Sequence, residues 1–179
     1  MTAIARAVIA YGLAGLIAWG SHVPAQAQST FDTAKRQLSG DWVVECLAGR
    51  DPGPESCQLY QRILTQDPNT AALVVALVWL PDQGTLQLQA ALPLGVDLQV
   101  PPELRVDGAV VETFMWSRCL KAGCMVEAPL SKAAFETLEQ GQGAAFMVTV
   151  PNAGPIEIPV SLGGFRNGLA IISTTAADG

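Results

Sequence analysis

Through most of this chain apolar residues recur at every second position, and the runs are cut by Gly, Pro or Asp at intervals of roughly 10–12 residues. Such a pattern buries its apolar set in sheets, where alternate side chains point to opposite faces. Leu86, Leu88 and Ala90 alternate with Gln87 and Gln89, which marks a strand with one wet face. Ile156, Ile158 and Val160 alternate with Glu157 and Pro159, and Pro159, lacking an N–H, marks an edge strand. Residues 71–80 are apolar throughout, as in a central strand buried on both faces, with a short helix as the alternative. The other expected strands are 42–47, 57–63, 85–92, 103–106, 110–119, 124–128, 144–150, 156–161 and 169–173. One helix is expected at 132–140, with Ser131 as its N-cap and Gly141 as its stop. The whole reads as a mainly β sandwich or barrel with one short helix.

The amino end carries one positive charge at Arg6, a 13-residue apolar run over 7–19, and a small-x-small site at Ala25 and Ala27. That is the order of a secretory signal peptide, and the run is shorter than the ~20 residues that span a bilayer. The expected organisation is a signal peptide over 1–27, a polar leader over 28–40, one β domain over 41–173 and a flexible tail over 174–179. Removing 27 of 179 residues leaves 152, enough for one domain with a real core. Arg6 leaves with the signal, so nine basic residues face sixteen acidic ones. Nucleic acid and anionic surfaces are repelled by that balance, and no stable membrane insertion follows cleavage.

The single histidine, His22, lies in the signal segment, so the mature chain has none. Serine and cysteine nucleophiles activated by His, and His-based zinc sites, are thereby excluded. Cys46, Cys57, Cys119 and Cys124 all remain, and an even count in an exported chain reads as disulfides. Locality favours Cys46 with Cys57 and Cys119 with Cys124, because each pair flanks a turn-like segment, Asp51-Pro52-Gly53-Pro54 in the first and one ending at Gly123 in the second. A four-cysteine zinc site would need closely spaced pairs at both ends, and ten residues separate the first two. No metal or cofactor is expected.

Five segments occur in order: Trp42-Val43-Val44-Glu45-Cys46; Cys57-Gln58; Leu92-Pro93-Leu94-Gly95-Val96; Cys119 and Cys124 preceded by Phe114; and Pro159-Val160-Ser161-Leu162 with Gly164-Phe165. Together, over about residues 40–172, they resemble the invasion-associated locus B family of Gram-negative envelope proteins. The resemblance implies an immunoglobulin-like β-sandwich, a periplasmic, outer-membrane or secreted location, and in some pathogens a part in host-cell entry. It carries no catalytic motif to transfer.

The catalytic look-alikes are weak. Phe31-Asp32-Thr33-Ala34 has the form of an aspartic-protease turn but precedes Lys35-Arg36 rather than an apolar strand. Ser117 and Lys121 stand four apart, not at the S-x-x-K spacing. Leu80-Pro81-Asp82-Gln83-Gly84 reads as a turn, and so do Gly95, Gly163 and Gly164, since none is expected to open a helix after a strand. The reading is a non-catalytic binding protein whose partner is a protein or envelope component. A His-independent envelope hydrolase and a periplasmic ligand carrier are the alternatives. In a continuous strand over 110–119, Glu112, Phe114, Trp116 and Arg118 share one face and Val111, Thr113, Met115 and Ser117 the other. Trp116, Arg118 and Lys121, at a cross-linked hairpin tip, are the candidate partner-binding residues, since Trp and Arg are enriched at binding hot spots.

Overall fold

The structure, a computed structural model, describes residues 35–47, 56–67 and 71–177. In order these form β1 (Lys35–Ser39), β2 (Trp42–Leu47), β3 (Ser56–Leu64), β4 (Ala71–Leu80), β5 (Thr85–Leu92), β6 (Glu103–Val106), β7 (Ala109–Thr113), β8 (Trp116–Leu120), β9 (Gly123–Pro129), α1 (Lys132–Gln140), β10 (Gly143–Val150), β11 (Gly154–Ser161) and α2 (Phe165–Ala177). The expected signal segment, Asp32 and the turn at 48–55 lie outside the described residues. Every strand pairing is antiparallel: a seven-stranded sheet runs β1-β2-β3-β4-β5-β9-β8 and a four-stranded sheet runs β11-β10-β6-β7.

The period-two pattern decides which face is inside. In β5, Leu86, Leu88, Ala90 and Leu92 are buried while Gln89 is exposed. Trp42, Leu59, Leu73, Val75 and Leu77 lie on the same inner face, opposite Leu104, Val106, Phe146, Ile158 and Val160 of the smaller sheet, in one shared core. Each such side chain contributes roughly 1.5–3 kcal/mol when removed from water. The two helices extend the second layer. Phe135 of α1 packs tilted against Trp79 with ring centroids 5.8 Å apart, and Phe165 of α2 against Trp42 at 5.6 Å. Both disulfides form as locality predicts, Cys46 with Cys57 across β2 and β3, and Cys119 with Cys124 across β8 and β9. Ser131 caps α1 by accepting from the Ala134 amide, and β11, which holds Pro159, is an edge strand.

Five expectations are corrected. Residues 169–173 are not a strand, and the tail is not free from Thr174 onward, because α2 runs through both. Ile171, Ile172, Thr174 and Thr175 favour a strand locally. Packing overrides them: Phe165, Leu169 and Ile172 fall on one helical face and are buried. Gly168 lets that face close on β3, since a Cβ there would lie 2.4 Å from Leu59 Cδ1. Gly163 and Gly164 therefore do open a helix after a strand. Next, Lys35–Ser39 in the polar leader forms a strand, whose pattern is invisible because all its residues except Ser39 are exposed. Finally, the strand expected at 110–119 breaks at Phe114-Met115, where the chain leaves one sheet for the other. Phe114 is buried against Phe146, and its amide donates to the Pro102 carbonyl.

The β1–β2 turn and the β11–α2 turn interlock. Ser161 is central: its carbonyl accepts from the Trp42 indole at 2.8 Å and from Gln61 Nε2 at 3.2 Å, and its amide donates to Gln61 Oε1 at 3.0 Å. Its hydroxyl donates to Asp41 Oδ2 at 2.5 Å and accepts from the Gly163 amide at 3.0 Å. The Asp41 amide donates to the Gly163 carbonyl, and the Ser39 hydroxyl to the Gly164 carbonyl. The backbones approach so closely that a Cβ on Gly164, whose φ is +88°, would sit 2.0 Å from the Ser39 carbonyl oxygen.

Gly164→Ala should therefore cost about 3 kcal/mol or more, combining left-handed strain with overpacking. Gly154→Ala, with φ +81° but open space around the Cβ, should cost only about 1–2 kcal/mol. Urea denaturation of the two variants measures the difference, and equal costs would contradict the close approach.

Candidate interaction surface

The β8–β9 hairpin forms one margin of the seven-stranded sheet, with β8 as the edge strand. The Cys119–Cys124 bridge closes it just below its tip, where Lys121 is exposed. Gly123 pins the hairpin to β5, since a Cβ there would lie 2.4 Å from the Leu92 carbonyl oxygen.

Trp116 and Arg118 do not share a face, contrary to the simple alternation. Trp116 pairs with Val126 and Arg118 with Met125, so Ser117 is the extra residue of a bulge. Val126 is buried, and Trp116 packs against the same core, its indole donating to the Val100 carbonyl at 3.1 Å. Arg118 turns to the outer face. Two of its guanidinium nitrogens donate to the two oxygens of Glu127, each at 2.8 Å, with the Arg118 side chain 51% exposed. Fork-to-fork geometry fixes the guanidinium in direction while leaving one side open. Of the three candidates, then, Arg118 and Lys121 are available at the surface and Trp116 is mainly structural.

The outer face of the seven-stranded sheet is the surface the sequence reading missed. Val74, Ala76 and Val78 of β4 are half-buried there, level with Ala91, Gln89 and Gln87 of β5. Among the described residues, both helices and the second sheet pack on the opposite face. The uniform apolarity of β4 reads as burial on both sides. The signal against that was its neighbour, since Gln87 and Gln89 had already marked this face as wet.

At the other margin, Arg36 Nε donates to Glu45 Oε1 at 2.5 Å and Gln58 Nε2 to Glu45 Oε2 at 2.8 Å. The hydrogen bond from Arg36, then that from Gln58, holds the Glu45 carboxyl below the usual carboxylate range. A depressed carboxylate contributes stability above its unfolded pKa and loses it as pH falls through the folded one. The stability gap between the native chain and Glu45→Gln should thus be widest above about pH 5 and shrink below about pH 4. Denaturant titrations across that range measure it, and a gap that widens in acid would contradict the pairing.

Between the sheets, the enclosed space lined by Trp42, Leu77, Leu104 and Phe146 amounts to about 10 Å³. A depression of about 210 Å³ on the outer face of the four-stranded sheet brings together Arg105, Asp107 and Glu157. Asp107 is engaged by the amides of Gln142 and Gly143, and Arg105 by Glu103 at 2.8 Å.

Two antiparallel sheets closed on one core and stapled by two cross-strand disulfides define a small disulfide-bonded β domain. Residues 42–173 match the Invasion associated locus B (IalB) proteins, and the chain belongs to that family. Two invasion protein B homologs of Brucella abortus, from strain 2308 and from biovar 1 strain 9-941, are similar to it. Each is 26% identical over 173 residues, covering 91% of this chain and 90% of the relative. The crystal structure of invasion associated protein B from Bartonella henselae is similar in fold, with a TM-score of 0.71 and 25% identity over 81% of this chain and 99% of that one. Trp42 and the segment from Pro159 to Phe165, which helped carry the resemblance, are the residues of the interlocked turns.

Proposed function

We propose that this chain is a non-catalytic protein of the Gram-negative cell envelope that works by binding a protein or envelope component through its surface. Its part would be in host-cell interaction, in line with the names of its Brucella and Bartonella relatives, or in envelope integrity. The proposed location is periplasmic, outer-membrane associated or secreted. Two disulfides fit an oxidising compartment, and among the described residues no helix is long and apolar enough to cross a membrane.

The observation that carries the reading is the guanidinium of Arg118, held by Glu127 and half exposed beside the cross-linked tip that bears Lys121. A fixed cation next to a stapled turn lowers the ordering cost of association. A carrier with an interior cavity is weakened by the space between the sheets, about 10 Å³ against the roughly 300–1,000 Å³ of ligand pockets. The hydrolase alternative is weakened by Asp107, whose carboxylate is already committed to backbone amides.

Replacing Arg118 and Lys121 together with Ala should reduce capture of the native partner from intact envelopes about tenfold or more, as expected of hot-spot residues. Stability should fall by no more than about 1 kcal/mol, the usual worth of an exposed ion pair. Undiminished capture, or a loss that merely tracks unfolding, would place the working surface elsewhere.

A further inference from the structure

The centre of the outer sheet face, away from the β8–β9 margin, has a chemistry that the partner-binding reading does not use. The register aligns it in rows: Val43, Tyr60, Ala76, Gln89 and Glu127 in one, Val78 and Gln87 in the next. Arg62, Val74, Ala91 and Met125 form a third, and Arg118 ends it. Apolar and amide side chains fill the middle. Four of the charges pair toward the margins, Arg36 with Glu45 and Arg118 with Glu127, while the exposed Arg62 stands on β3 beside Val74. We propose that this face packs against the same face of a second copy of the chain.

Two observations select a second copy. The first is charge. The chain as a whole carries −6, so two copies repel on average. On this face, however, three arginines stand with two glutamates, and four of the five charges are already neutralised in pairs. The face thus carries one net positive charge per copy, on Arg62, and none of the net negative charge by which two copies repel on average. The second is area. Leaving the β8–β9 margin free, the five strands β1 to β5, about 4.8 Å apart and about six residues long at about 3.3 Å per residue, present about 475 Å². A pair then buries about 950 Å², the size of a weak, transient contact. Two copies of one sheet also twist with the same hand, which lets their faces pack aligned at about −30°. The result is an isologous contact in which each residue near the dyad meets its own copy.

The test is sedimentation equilibrium of the full, disulfide-bonded chain over a range of concentration, with two variants. Ala76→Lys places a charge at the centre of the face, and Gln87→Lys does so at a half-buried polar position that should tolerate it. The native chain should dimerise with a dissociation constant in the micromolar range, as its modest area implies. Gln87→Lys should weaken it at least tenfold while the melting temperature stays within a few degrees, and Ala76→Lys should do the same if it folds. A chain that stays monomeric at about 200 μM, or a Gln87→Lys variant that dimerises as the native chain does, would overturn the proposal. If the native chain is monomeric and the variants instead lose an envelope partner, the face serves a different protein and self-packing is wrong. Because Arg118 and Lys121 are untouched, failure here leaves the envelope-capture result standing, and the reverse also holds.

Discussion

Everything in this molecule hangs on the contact between the β1–β2 turn and the β11–α2 turn. One residue, Ser161, satisfies five hydrogen bonds with partners on Asp41, Trp42, Gln61 and Gly163. It sits at the end of the smaller sheet, and three of those partners belong to the first strands of the larger one or to the turn between them. The contact therefore fixes the relation of the two layers where they diverge, and it sets the direction in which α2 leaves. A buried glutamine such as Gln61 would be costly among leucines, but both ends of its amide are engaged by the Ser161 main chain. Gly40 and Gly164 make the approach sterically feasible, and no side chain could replace either without moving backbone.

Once the layers are locked, the interior is filled and chemistry is left to the outside. Strand addition at the margins is discouraged. β11 carries Pro155 and Pro159, which cannot donate to a ladder, β8 is kinked by its bulge, and β1 presents Lys35 and Arg36. The outer face of the larger sheet lacks such protection and has an apolar centre. Three of the four edges are protected in this way while a face is left open, which favours association by packing over association by strand pairing. The disulfides brace this sheet from its core side, both crossing adjacent strands near its two margins.

Much of this was legible in the sequence. Alternation in β5 and β11, the capped helix at 132–140 and both disulfide pairings depend on local chemistry, and local chemistry is what a sequence displays. What was hidden depends on tertiary contact. β1 has no apolar face of its own and exists because β2 offers it a ladder. α2 contradicts its own β-branched composition because Phe165, Leu169 and Ile172 gain more from the core. For the candidate site, cysteine spacing reveals the stapled hairpin on which Arg118 and Lys121 are exposed, but simple alternation sets Trp116 on the same face as Arg118. A single inserted residue, Ser117, inverts the alternation, and period counting cannot register a bulge.

Native-state hydrogen exchange tests the central role of the interlocked turns most directly. If they lock the layers, the Trp42 indole proton and the amides of Asp41, Ser161 and Gly163 should exchange only through global unfolding, at the rate of the slowest amides of β4 and β5. Exchange of those protons through a local opening, well ahead of β4 and β5, would show that the sheets hold together without the contact.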